Sequence, residues 1–132
     1  MNESAAWQLS RDAEGIATLT LDRPGASANS LSRSVMLELR EHLKKLQAQP
    51  PRGLVLRSGK SSGFIAGADI REFTTLQNPT EALVLIRNGQ QACDELAALP
   101  FPTVAAIQGF ALGGGLDQPL LGCCFHLPHG LR

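Results

Sequence analysis

Two short glycine-bearing segments could do chemistry in this sequence. Ala66-Gly-Ala-Asp69 continues an apolar stretch that begins at Phe64. Gly113-Gly-Gly115 lies shortly after a second apolar stretch, Thr103-Val-Ala-Ala-Ile107. Each reads as a turn of small residues between a strand and a helix. Such a turn exposes backbone N–H groups and lets a ligand approach closely. Two of them side by side would aim two donors at one oxygen, which suits a carbonyl that gains negative charge in a transition state. The alternative is that these glycines only make tight turns, and spacing alone leaves both readings open.

Other chemistries fail on spacing. Ser58-Gly-Lys-Ser-Ser62 carries the Gly-Lys-Ser ending of a phosphate-binding loop. That loop needs a glycine five residues before Gly59, where Leu54 stands; Gly53 is one residue out. A dinucleotide fingerprint starting at Gly113 would need a third glycine at Gln118. No G-x-S-x-G elbow is present. Cys123, Cys124, His126 and His129 cluster without a C-x-x-C pair or a second ligand pair, so zinc is weakly supported. His42 sits among charged neighbours and reads as a solvated surface histidine, and Cys93 reads as a core residue.

Phe64-Ile-Ala-Gly-Ala-Asp-Ile-Arg-Glu-Phe73 followed by Ala106-Ile-Gln-Gly-Phe-Ala-Leu-Gly-Gly-Gly115 resembles the crotonase (enoyl-CoA hydratase/isomerase) superfamily. Arg23-Pro-Gly-Ala-Ser-Ala-Asn-Ser-Leu31 is similar to that family's first CoA-binding loop. The 64–73 stretch is most similar to the amino-terminal domain of multifunctional fatty-acid-oxidation proteins, and the resemblance runs in order over about residues 7–117. It implies an α/β fold of repeated ββα units and acyl-CoA thioesters as ligands. Carried over residue by residue, it gives Ala68 and Gly114 the oxyanion-hole N–H groups. Ala66, Gly67, Ala68, Asp69, Ile70 and Arg71 would contact the adenine and pantetheine of CoA, largely through backbone. The Ala28-Asn29 region would close over CoA from the other side. No metal or nucleotide cofactor is implied, since coenzyme A arrives as part of the substrate.

The implied activity is enoyl-CoA hydration in fatty-acid β-oxidation. Δ3-Δ2 isomerisation is the second enzyme reading, and a non-catalytic CoA-binding fragment is the non-enzyme one. Hydration in the family uses two glutamates. Asp117 occupies the place of the first and is one methylene shorter; a setback of about 1 Å can cost on the order of a hundredfold. No residue of the chain matches the second. Residues 1–117 are therefore expected to be the N-terminal part of a crotonase-like domain. Residues 118–132, with prolines at 119 and 128, are expected to be an atypical tail that is truncated or out of frame. Sequencing the parent gene through this point checks that expectation. The full-length form is expected to be a homo-oligomer or part of a fatty-acid-oxidation complex.

The elements that must position these groups are legible from pattern. Trp7–Arg11 and Ile16–Leu21 read as an antiparallel hairpin closed at Asp12–Gly15, with Ala17, Leu19 and Leu21 on one face. Val35, Met36, Leu39, Leu43 and Leu46 make a helix of 32–49, capped by Asn29, Ser30 or Ser32 and ended by Pro50-Pro51. Arg40, Glu41, Lys44 and Lys45 are placed toward water. Gly53–Arg57 reads as a strand after that helix, a βαβ signal. Asn78 and Pro79 open a second helix with Leu83, Ile86, Gln90, Cys93 and Ala97 as its buried stripe. Thr103–Ile107 is the next strand.

Composition agrees with one folded domain. The 132 residues are 43% hydrophobic and 18% charged. Twelve basic residues balance twelve acidic ones, so charge gives no case for nucleic acid or an anionic membrane. No run is long enough to span a bilayer. The first residues lack signal-peptide character, and three cysteines make a poor disulfide framework, so the expected setting is cytoplasmic.

Overall fold

A computed structural model describes residues 5–65, 72, 76–106, 110–111 and 125–126. The chain opens with β1 (Trp7–Arg11) and β2 (Ile16–Leu21), paired antiparallel from Trp7↔Leu21 to Arg11↔Ala17. Asp12 closes their turn: its Oδ1 accepts from the N–H groups of Glu14 and Ile16. Gly15 takes φ +87°, a conformation other residues rarely adopt. The alternation read from sequence holds, with Ala17, Leu19 and Leu21 buried and their neighbours half-buried.

Helix α1 (Arg33–Ala48) follows. Ser32 is its cap, accepting the Val35 N–H through Oγ at 3.2 Å. All five expected inward residues, Val35, Met36, Leu39, Leu43 and Leu46, are buried. The chain then returns as β3 (Gly53–Ser58), parallel to β2 from Ile16↔Gly53 to Leu21↔Ser58. This is the expected βαβ crossover. A short strand β4 (Gly63–Ile65) leads toward α2 (Pro79–Ala97), capped by Asn78 with Pro79 in its first turn. Strand β5 (Thr103–Ala106) lies parallel to β3, β6 (Phe110–Ala111) pairs with β4, and β7 (Phe125–His126) pairs antiparallel with β5. The main sheet has the order β1-β2-β3-β5-β7, and β4-β6 form a second, two-stranded sheet. The element order β1-β2-α1, β3-β4-α2, β5-β6 repeats a ββα unit, so the α/β class read from sequence is correct.

The core lies between the main sheet and α1. Leu19 and Leu21 of β2 and Leu54 and Leu56 of β3 meet Leu43 and Leu46 of α1 in one buried cluster. Each fully buried leucine of this kind contributes about 1.5–3 kcal/mol of transfer free energy.

Three expectations are corrected. The stripe on α2 is displaced. Leu83 and Ile86 are 47% and 46% exposed, Gln90 is exposed, and Cys93 and Ala97 are half-buried. The least exposed row is Leu85, Asn88, Gly89, Ala92 and Leu96, about 100° round the helix from the expected one. Arg40 does not simply face water: it is half-buried and pairs with Glu95 of α2. Its long side chain crosses from one helix to the other, which a single-helix pattern cannot reveal. His42 is not a solvated surface histidine. Its side chain is 15% exposed, its Nε2 stands 3.8 Å from Glu38, and its Nδ1 is buried without a hydrogen-bond partner. Burial and the nearby Lys45 hold its pKa below the usual histidine value of 6.5, against a smaller opposing pull from Glu38.

Candidate functional site

The two glycine segments follow neighbouring strands. β4 and β6 run parallel, with Gly63 paired to Phe110 and Ile65 to Ala111. Ala68 is three residues beyond Ile65, and Gly114 is three residues beyond Ala111. Both segments therefore leave the same end of adjacent strands, which in a sheet lie about 4.8 Å apart. Ala66, Gly67, Ala68, Asp69, Ile70, Arg71, Gly114 and Asp117 themselves lie outside the described residues, as do Ile107, Cys123, Cys124 and His129.

The facing loop is described in full. Residues 22–31 connect β2 to α1, and Ala28 within them is half-buried. Next to it, Asn29 is only 1% exposed. Its Oδ1 accepts the Arg23 N–H at 3.1 Å. Its Nδ2 donates to the Leu21 carbonyl at 2.8 Å and to Ser58 Oγ at 2.9 Å. A buried carboxamide is stable only when its polar atoms are paired in this way. The Arg23 guanidinium donates to Ser30 Oγ at 2.7 Å.

A second set of bonds comes from the 58–62 segment between β3 and β4. Lys60 Nζ donates to the Arg23 carbonyl at 2.6 Å and pairs with Asp22 Oδ1 at 2.6 Å. The Gly59 N–H reaches the Leu21 carbonyl at 2.9 Å, and Ser62 Oγ donates to the Ser27 carbonyl at 2.8 Å. In sequence, Gly59-Lys60-Ser61 shows only as an incomplete phosphate loop, and neither Ser62 nor the interior role of Asn29 stands out. Nothing in their spacing signals a tie to a loop more than thirty residues away.

At the other end of the same loop, the Arg33 N–H at the start of α1 donates to Glu72 Oε1 at 2.8 Å. A cavity of about 400 Å³ opens there, lined by Arg33, Glu72, Leu76, Thr80, Val84 and Leu85 among others. Among the described residues no group of three or more His, Cys, Asp and Glu side chains is placed to hold a metal ion. No helix among them is long and apolar enough to cross a membrane. Cys93 is half-buried and outside any disulfide.

Comparison with known proteins gives this geometry a context. Residues 11–123 match the family model described as enoyl-CoA hydratase/isomerase. The fatty acid oxidation complex subunit alpha of Aliivibrio fischeri is 40% identical over 122 residues, which is 91% of this chain and 18% of that protein. The subunit of the same name from Shewanella halifaxensis is 40% identical over 121 residues, 91% of this chain and 17% of its own length. The chain thus spans less than a fifth of the curated relatives it matches. Among solved structures, an enoyl-CoA hydratase/carnithine racemase from Magnetospirillum magneticum superposes with a TM-score of 0.81 at 35% identity, over 92% of this chain and 45% of that one. An enoyl-CoA hydratase from Bacillus anthracis gives a TM-score of 0.76 at 28% identity, over 83% of this chain and 42% of that one. With residues 11–123, most of the chain, matched by the family model and the fold shared with solved members, the chain belongs to the enoyl-CoA hydratase/isomerase family.

Proposed function

We propose that the chain binds acyl-CoA thioesters and carries the enolate-stabilising half of an enoyl-CoA hydratase site. The observation that carries this reading is the parallel β4–β6 pair, from whose common end both glycine segments continue. In this reading the N–H groups of Ala68 and Gly114 hold the thioester oxygen as negative charge develops on it, and the 66–71 segment and the Ala28-Asn29 region enclose CoA. Oriented N–H donors of this kind supply about 2.7–4 kcal/mol each of transition-state stabilisation.

Hydration also delivers water's oxygen to one carbon and a proton to its neighbour. Asp117 takes the place of a water-handling carboxylate, with a shorter reach. No residue of the chain takes the place of a second. The 132-residue chain therefore binds the thioester and hydrates it poorly. The names of its relatives support a setting in fatty-acid oxidation and within a larger complex. A cytoplasmic location is part of the same reading.

The test is a titration of the purified chain with coenzyme A, followed by a hydration assay with a short 2-enoyl-CoA and an isomerase assay with a 3-enoyl-CoA. Binding with hydration on the order of a hundredfold or more below a complete acid/base pair is expected. Absence of binding overturns the thioester reading. Rapid hydration would show that the acid/base groups are elsewhere. Isomerisation without hydration would move the chain to Δ3-Δ2 chemistry on the same hole.

A further inference from the structure

The 22–31 loop is built from residues that do not hold a shape by themselves. Pro24-Gly-Ala-Ser-Ala28 offers small side chains and a glycine at φ +72°. A chain of this composition samples many conformations unless it is tied down. The ties run from two directions. From inside, buried Asn29 binds Arg23, Leu21 and Ser58 at once. From the 58–62 segment, Lys60 and Ser62 grip the carbonyls of Arg23 and Ser27. The gripping residues belong to the segment that runs directly into β4, and so toward the first glycine segment.

We propose that Asn29 and Lys60 are positioning residues that lock the 22–31 loop and the 58–62 segment into one preformed wall of the CoA site. The proposal rests on the thioester reading given above. Asn29 ties the end of the loop to its start at Arg23, and Lys60 holds that start to the 58–62 segment through Asp22 and the Arg23 carbonyl. The Lys60 ammonium is occupied by Asp22 and a backbone carbonyl, so it acts on CoA through the loop. A ligand that needs the closed loop binds with an apparent affinity reduced by the fraction of molecules in which the loop is closed. Removing either tie lowers that fraction.

The experiment is titration calorimetry of the full 132-residue chain with coenzyme A, with thermal unfolding and amide hydrogen exchange on the same samples. The variants are Asn29→Ala, Lys60→Met and Lys60→Arg. Lys44→Ala on the exposed face of α1 is the control. Asn29→Ala and Lys60→Met are expected to raise Kd about tenfold, as for a loop closed in about a tenth of molecules. Lys60→Arg is expected to restore most of the affinity, and Lys44→Ala to leave it unchanged. The amides of Arg23 and Gly59 should exchange faster in Asn29→Ala. If Asn29→Ala does not fold, Lys60→Met, with Lys60→Arg beside it, carries the test.

A lower unfolding temperature with unchanged Kd well below it would mean a merely structural role and overturns the proposal. Unchanged exchange at Arg23 and Gly59 in folded Asn29→Ala overturns it as well. Failure of the unaltered chain to bind coenzyme A is a different result. It overturns the thioester reading, and the exchange data then still decide whether the loop is held by these residues.

Discussion

Glu38 of α1 receives the backbone N–H of Trp7 at 2.8 Å through Oε2, while its Oε1 receives that of Ala6 at 3.0 Å. One carboxylate of a helix thus holds the start of the first strand of the sheet and fastens it to the core. The Trp7 indole adds a bond from Nε1 to the Val35 carbonyl at 3.0 Å, so α1 accepts from both the backbone and the side chain of Trp7. Hydrogen bonds to a charged group contribute about 1.5–3 kcal/mol each when part-buried.

Glu38→Ala should therefore destabilise the chain by about 2–3 kcal/mol, allowing for the partial exposure of the carboxylate. Glu38→Gln retains one acceptor and should cost about half as much. Urea unfolding measures both. Amide exchange at Ala6 and Trp7 should quicken in step. Equal stability of Glu38→Ala and the unaltered chain would mean that the clamp contributes nothing.

The displaced stripe on α2 gives a sharper contrast. Leu96 is 3% exposed and lies in the core, whereas Leu83 is 47% exposed. Leu96→Ala should cost about 3 kcal/mol, through lost transfer energy and a residual cavity. Leu83→Ala should fall within about 0.5 kcal/mol of neutral. The opposite order in denaturation midpoints would restore the stripe read from sequence.

The contrast between α1 and α2 shows how far periodicity reaches. On α1 the five residues of the apolar stripe are the ones the fold buries, and Leu37, 43% exposed, stands off it, so periodicity and burial coincide. On α2 the least exposed row includes Asn88, Gly89 and Ala92, which carry little apolar signal, while Leu83 and Ile86 stand outside it. Periodicity finds the apolar stripe and not the neighbour that covers a helix. The βαβ succession is legible because Pro50-Pro51 and Pro100-Phe-Pro102 punctuate the elements, whereas the separate β4–β6 pair is not. Asn29 shows the other limit. Its type and position suit a helix cap, and only the fold brings Ser58 to its side chain.

The two positive-φ glycines separate backbone strain from crowding. Gly15 has φ +87°, and a Cβ there would stand 3.2 Å from Arg52 Cγ. Gly25 has φ +72° with open space around it. Gly25→Ala should cost about 1–2 kcal/mol from the left-handed backbone alone. Gly15→Ala should cost more, by the displacement of Arg52. Arg52→Ala should remove part of that excess in a double-mutant cycle, and have no such effect on Gly25→Ala. Equal costs at the two glycines, with no coupling to Arg52, would show that crowding by the arginine stem is immaterial.

His42 makes stability depend on pH in a definite direction. Burial first, and then the positive charge of Lys45, lower its pKa from 6.5, while the Glu38 carboxylate pulls it partly back. Between the lowered folded value and 6.5, the unfolded chain binds more proton than the folded one. Stability therefore rises with pH across that window, so the contribution of neutral His42 is complete above 6.5 and is lost as pH falls toward the folded value. The unpartnered Nδ1 is the atom that gains the proton least favourably, since it is buried away from water. Urea unfolding of the unaltered chain should give a lower midpoint at pH 5.5 than at pH 7.5. His42→Leu removes the titrating group and should flatten the part of that difference that belongs to it. The comparison is best made with Lys45→Met as well, which removes a cation that disfavours protonation and should shrink the slope without abolishing it. A pH slope unchanged by His42→Leu would assign the acid sensitivity to other groups.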